Sequence, residues 1–117
     1  MALNYNELDA DKLEFVVVAD EGDLPNGERL FVEIDEFQIV VFNIAGKLFA
    51  IEDICSHDDG PLGDGELETD YEIACPRHGA RFDVRNGYAM TLPAVEDIQA
   101  FPVRVSDGKV EVGLPTE

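Results

Sequence analysis

Every cysteine and histidine of this chain sits in one of two short mixed pairs, so its fold must bring those pairs together. The first pair reads Cys55-Ser-His57 and the second Cys75-Pro-Arg-His78, with residues 58–74 between them. One thiol and one imidazole per pair, each residue type used nowhere else, points to metal binding. Two irons bridged by sulfide need four protein ligands, two per iron, and two thiolates with two imidazoles make up one such set. If each loop supplies one of each, each loop reaches both irons. Two similar hairpin tips can then clamp a [2Fe–2S] cluster from opposite sides.

Other chemistries use the same residues. Zinc also takes two cysteines and two histidines, but zinc sites usually pair like with like, and C-x-H is a tight spacing for two ligands of one tetrahedral ion. A Cys55–Cys75 disulfide leaves both histidines unexplained, and nothing in the chain calls for an oxidising compartment. A Cys–His catalytic dyad needs only one member of each pair. The duplication favours iron and sulfur.

The surrounding residues carry a resemblance. The first box continues Cys55-Ser-His57-Asp-Asp-Gly-Pro-Leu-Gly-Asp-Gly65. The second runs Cys75-Pro-Arg-His78-Gly-Ala-Arg-Phe-Asp-Val-Arg-Asn-Gly87, with Leu92-Pro93-Ala94 close downstream. Both boxes resemble those of the Rieske-type ferredoxins, soluble electron carriers of bacterial ring-hydroxylating oxygenase systems, and the general layout extends from about residue 13 to 114. The resemblance implies that Cys55 and Cys75 hold the inner iron, that His57 and His78 hold the outer one, and that a third loop near Pro93 covers the cluster. It implies an all-β, Rieske-like fold of antiparallel sheets, with a small cluster-binding subdomain made of two hairpin loops. Residues 1–117 are then one domain, with a cluster-binding part at about 53–92, a base at about 13–52 and 93–114, and an N-terminal extension at 1–12.

The membrane-anchored respiratory members carry a second cysteine in each box, where this chain has Gly60 and Arg77. They also carry hydroxyl side chains where this chain has Ala80 and Phe82. Hydroxyl bonds to sulfur stabilise the added electron, so their absence implies a potential toward the low end of the Rieske range.

Formal net charge is −18, from 26 acidic and 8 basic residues. That excludes nucleic acid as a partner, because phosphate contacts need a basic face. It suits electrostatic docking on basic patches of a redox partner, with Asp58, Asp59 and Asp64 beside the ligands as the docking acids and the other acids solvating the surface. The longest apolar run, residues 37–45, is interrupted by Gln38 and Asn43 and is far short of a membrane span. With no basic, apolar leader at the N-terminus, the expected location is the cytoplasm.

Strand patterns with turn signals recur along the chain. Strands are expected at 14–19, 29–34, 37–42, 47–52 and 71–75, at 80–84 against 88–91, and at 99–105 against 109–112. Ala45-Gly46, Asn86-Gly87 and Asp107-Gly108 read as hairpin turns, and Pro102 places its strand at an edge or a bulge. Short helical hints occur at 4–12 and 93–97. Gly60, Gly63, Gly65 and Gly79 suit tight turns beside the ligands, and Pro61, Leu62 and Pro76 suit a shield over the sulfides or packing at the loop base.

A mononuclear iron oxygenase site needs further histidines, and a flavin reductase needs a dinucleotide fingerprint that is missing here. The expected function is one-electron transfer from a flavin-dependent ferredoxin reductase to a terminal oxygenase, without catalysis by this chain. The alternatives are a Rieske carrier for another enzyme, such as a nitrite reductase small subunit or a partner of iron–sulfur assembly, and a non-redox zinc module.

Overall fold

The longest apolar run of the sequence forms the middle of the molecule, and it is apolar because both its faces are covered. The computed structural model describes residues 4–54, 61–76, 79–91 and 96–116. The strands among them are β1 (Leu13–Asp20), β2 (Arg29–Ile34), β3 (Phe37–Ile44), β4 (Lys47–Glu52), β5 (Glu72–Ala74), β6 (Arg81–Asp83), β7 (Ala100–Phe101), β8 (Val103–Ser106) and β9 (Lys109–Pro115). No α-helix occurs among the described residues, only short 3-10 turns, so the all-β expectation holds.

The strands form three antiparallel sheets, ordered β2-β3-β4-β7, β1-β9-β8 and β5-β6. Successive side chains of a strand point to opposite faces. Ile39, Val41, Ala50 and Phe101 therefore pack on one side of the four-stranded sheet, against Val112 and Leu114. Val40, Phe42, Ile51 and Ala100 pack on the other side, against Leu62, Ile73, Cys75 and Phe82. A strand buried on both faces reads as a continuous hydrophobic run rather than an alternating one. The central sheet thus separates a structural core from the core beneath the candidate ligands.

Two of the expected turns form as read. Ala45 and Gly46 have φ of 56° and 87°, and Asp107 and Gly108 have 54° and 74°. Both pairs match a two-residue turn with both central residues left-handed, closing the registers Ile44↔Lys47 and Ser106↔Lys109.

Two expectations need correction. The strand expected at 99–105 is broken at Pro102, which has no N–H to continue a ladder. β7 pairs with β4 in the central sheet, whereas β8 pairs with β9 in the other, and the Pro102 carbonyl accepts the Gly113 N–H at 2.8 Å. The two-residue turn at Asn86-Gly87 is instead a wider one. Gly87 N–H donates to the Asp83 carbonyl at 2.7 Å, and the Asp83 carboxylate takes the Arg85 N–H at 2.8 Å. That side chain competes for the backbone donor and opens the turn. The segment facing β6 contributes a single bridge, Phe82↔Ala89, rather than a strand.

Residues 5–12 form two 3-10 turns, Tyr5–Glu7 and Ala10–Lys12, in place of the hinted helix. Tyr5 is part of the structural core. Its ring lies 5.3 Å from that of Phe101, and its hydroxyl donates to Gln99 Oε1 at 2.5 Å. Asn4 bridges Ala100 in parallel. In the second helical hint, residues 93–95 lie outside the described residues.

Candidate metal centre

Of the four expected ligands, Cys75 is among the described residues. Cys55, His57 and His78 lie outside them, as do Asp58, Asp59, Gly60, Arg77 and Pro93. Cys75 directly follows β5, and Ala80 directly precedes β6. The hairpin tip between them is closed by Cys75 N–H donating to the Ala80 carbonyl at 2.7 Å and by Gly79 N–H donating to the Cys75 carbonyl at 2.9 Å. Gly79, with φ of 75°, supplies the left-handed turn that lets the chain double back so tightly.

Cys75 is 2% exposed, packed with Leu62, Ile73, Ala80 and Phe82, and forms no disulfide. Leu62 is fully buried and packs the base of the loop, while Pro61 and Pro76 remain exposed. Ala80 and Phe82 are both fully buried, and Ala80 is tied directly to the Cys75 backbone.

The first ligand loop leaves from β4 and is anchored at both ends. Glu52 N–H donates to the Gln99 carbonyl at 2.9 Å, and Asp53 N–H to the Gln38 carbonyl at 2.7 Å. Where the chain returns, Asp53 Oδ1 accepts the N–H groups of Leu62 at 2.9 Å and Gly63 at 2.5 Å. The returning arm then runs beside β5. Ala74 N–H donates to the Glu66 carbonyl at 2.9 Å, Glu68 N–H to the Glu72 carbonyl at 2.8 Å, and Leu67 bridges Ile73. Gly65 backs so closely on this strand that a Cβ there would stand 1.8 Å from the Ala74 carbonyl oxygen. The two ligand arms are therefore stitched to each other along residues 65–68 and 72–74. Sequence reasoning missed the side chains that do the anchoring, Asp53 and also Arg29, whose Nη1 donates to the carbonyls of Gly63 and Gly65. The available signal for Arg29 was the alternation of β2, which puts Arg29, Phe31 and Glu33 on the face opposite Leu30, Val32 and Ile34.

Carboxylates dominate the surroundings. An open cavity of about 420 Å³ beside Cys75 is lined by Asp64, Glu66 and Glu68 together with Gly65, Pro76 and Gly79. Arg81 lies 3.6 Å from both Glu68 and Glu72 and offsets part of that charge. Glu36, Glu52 and Asp53, with Gln38, Ile54 and Pro61, line a second cavity of about 340 Å³. Asp83, 4% exposed, is paired with the Arg85 guanidinium at 2.8 Å, which in turn stacks over Tyr71 at 4.2 Å. A buried thiol with its backbone tied down and an open cavity beside it suits a thiolate ligand of a cluster. Among the described residues no group of three or more Cys, His, Asp and Glu side chains is placed to hold a metal ion, and no helix is long and apolar enough to cross a membrane.

Comparison with known proteins points to one family. The family model of the Rieske [2Fe-2S] domain matches residues 14–102. The chain is 38% identical over 93 residues to the 3-phenylpropionate/cinnamic acid dioxygenase ferredoxin subunit of Shigella flexneri serotype 5b (strain 8401), covering 80% of this chain and 87% of that one. Among solved structures it is similar to the ferredoxin of carbazole 1,9a-dioxygenase from Nocardioides aromaticivorans IC177, with a TM-score of 0.79, 32% identity, and coverage of 87% of this chain and 98% of that one. It is also similar to a chain in the complex of reduced oxygenase and oxidized ferredoxin in carbazole 1,9a-dioxygenase, with a TM-score of 0.78, 27% identity, and coverage of 88% and 95%.

Proposed function

Because this chain belongs to the Rieske [2Fe-2S] domain family, we propose that it serves a ring-hydroxylating dioxygenase system, taking single electrons from a flavin-dependent ferredoxin reductase and handing them to a terminal oxygenase. It is an electron carrier with one Rieske-type [2Fe–2S] cluster, not a catalytic subunit. When bound, the cluster supplies a one-electron couple with two thiolates on one iron and two imidazoles on the other. In this reading Cys55 and Cys75 are the thiolates and His57 and His78 the imidazoles. The observation that carries it is Cys75, a buried thiol free of disulfide, held by the backbone of a hairpin tip beside an open cavity.

The chain's own residues set the conditions for transfer. Leu62, Ile73 and Phe82 pack with Cys75 in the core, leaving the open cavity on its other side. With Ala80 and Phe82 where hydroxyl donors could stand, the added electron gains no side-chain hydrogen bond from those positions, which keeps the potential low and suits a donor to an oxygenase. Asp64 is exposed on the cavity rim, and with Asp58 and Asp59 it forms the proposed docking rim for basic partner surfaces. The same reading treats residues 53–92 as the cluster-binding part of a single domain, supported by the separate core beneath Cys75, and places the carrier in the cytoplasm, where thiols stay free to bind metal.

Stopped-flow reduction by the reductase across a salt series tests the docking. Screening acts over roughly 8–10 Å at ordinary ionic strength, so only charges near the contact matter strongly. Neutralising Asp58 and Asp59 to Asn is expected to lower the on-rate more than neutralising the exposed acids Glu7 and Asp9. Equal behaviour of the two double variants refutes electrostatic docking at the cluster rim.

A further inference from the structure

The returning arm of the first ligand loop is gripped by two charged side chains from outside it. Arg29 opens β2 directly across from Phe42, and its guanidinium lies over the Phe42 ring at 5.0 Å. One nitrogen, Nη1, donates to the carbonyls of Gly63 at 2.5 Å and Gly65 at 2.7 Å. From the other side Asp53 Oδ1 accepts the Gly63 N–H. Gly63 is thus fixed through both its donor and its acceptor by charged partners, whose hydrogen bonds are stronger than neutral ones. The Phe31 ring closes the remaining side, since a Cβ on Gly63 would stand 2.5 Å from it. Two residues along, Gly65 abuts the Ala74 carbonyl, and Cys75 follows Ala74.

We propose that Arg29 is a positioning residue for the cluster. Reaching from the central sheet, it sets the spacing between the first ligand loop and the strand that carries Cys75, and so controls how tightly iron is held. It acts through the carbonyls of Gly63 and Gly65 rather than as a ligand. The inference rests on the electron-carrier reading above.

The test uses cluster-loaded protein purified anaerobically. Arg29→Met keeps an apolar stem over Phe42 but removes both hydrogen bonds; Arg29→Lys keeps a cation with shorter reach. Arg104→Met is the control, since Arg104 also stacks on a phenylalanine, Phe15 at 3.8 Å, and bonds a carboxylate, Glu111 at 2.7 Å, but in the β1-β9-β8 sheet. The readouts are the rate of iron transfer to a chelator and the g values of the reduced protein. Loss of two charge-assisted bonds is expected to speed iron release at least about tenfold in Arg29→Met, with shifted g values. Arg29→Lys should fall between that variant and wild type, and Arg104→Met should match wild type. Iron release and g values alike in Arg29→Met and Arg104→Met overturn the proposal. If Arg29→Met does not accumulate, wild-type values in Arg29→Lys overturn it instead. Wild-type protein that holds no iron and sulfide sinks the carrier reading itself, and with it this inference.

Discussion

A single methyl group added at Gly65 is expected to cost more than most core substitutions. It would stand 1.8 Å from the Ala74 carbonyl oxygen and 3.2 Å from that of Leu62. An ordinary C···O contact is about 3.3 Å, so the two groups must separate by about 1.5 Å. Neither can yield cheaply. Ala74 is the last residue of β5 and is bonded to Glu66, while Arg29 holds the Gly65 carbonyl at 2.7 Å. Overpacking costs about 1–3 kcal/mol where side chains can adjust. Here the obstacle is backbone, and at least one hydrogen bond worth about 1 kcal/mol is strained as well, which brings Gly65→Ala to about 3–4 kcal/mol. At about 4 °C per kcal/mol for a domain of this size, Tm should fall by about 12–16 °C in thermal unfolding of the loaded protein. Gly22→Ala is the control, because nothing lies within 4 Å of its added Cβ, and its effect should stay within about 0.5 kcal/mol. A Gly65→Ala protein melting within about 2 °C of wild type would refute the close packing of the two ligand arms.

The other consequences can be checked separately. Ala80→Ser and Phe82→Tyr each offer a hydroxyl to the cluster environment, and a bond to sulfur worth about 1–1.4 kcal/mol more in the reduced state raises the midpoint potential by about 40–60 mV. Unchanged potentials in both single variants and the double, with the hydroxyls seen on sulfur, remove this account of tuning. Burial, with the Glu52 carboxylate adding to it, raises the Tyr5 phenol above its ordinary 10.0. The unfolded chain loses that proton first, so the stability Tyr5 contributes is whole below about pH 10 and is lost as pH rises through the raised value. Urea midpoints of Tyr5→Phe should therefore fall less than those of wild type between about pH 9 and pH 11, and parallel curves would contradict the shift.

Local chemistry was the most legible part of the sequence. Ala45-Gly46 and Asp107-Gly108 announced their turns because left-handed backbone selects small or turn-forming residues. Asn86-Gly87 carried the same signal but was overruled by Asp83, whose carboxylate lies three residues earlier and captures the Arg85 N–H. The run at β3 was readable as a strand, yet its double burial depends on sheets formed by β5-β6 and β1-β9-β8, which are remote in sequence. Tyr5 entered the core through contacts with Gln99 and Phe101 at the other end of the chain, and no local pattern records such a contact. At the candidate centre, residue type and spacing pointed to Cys75 directly. Arg29 and Asp53 stayed hidden because each acts on backbone groups, which leave no mark of their own in the sequence.

Metal and sulfide content of the purified protein is the most direct measurement. Protein made anaerobically from an iron-replete source should be red-brown, with about two irons and two acid-labile sulfides per chain. On one-electron reduction it should give a rhombic EPR signal. Replacing Cys75 by Ser should abolish both the colour and the signal. Stoichiometric zinc without acid-labile sulfide in the wild-type protein would contradict electron transfer by this chain.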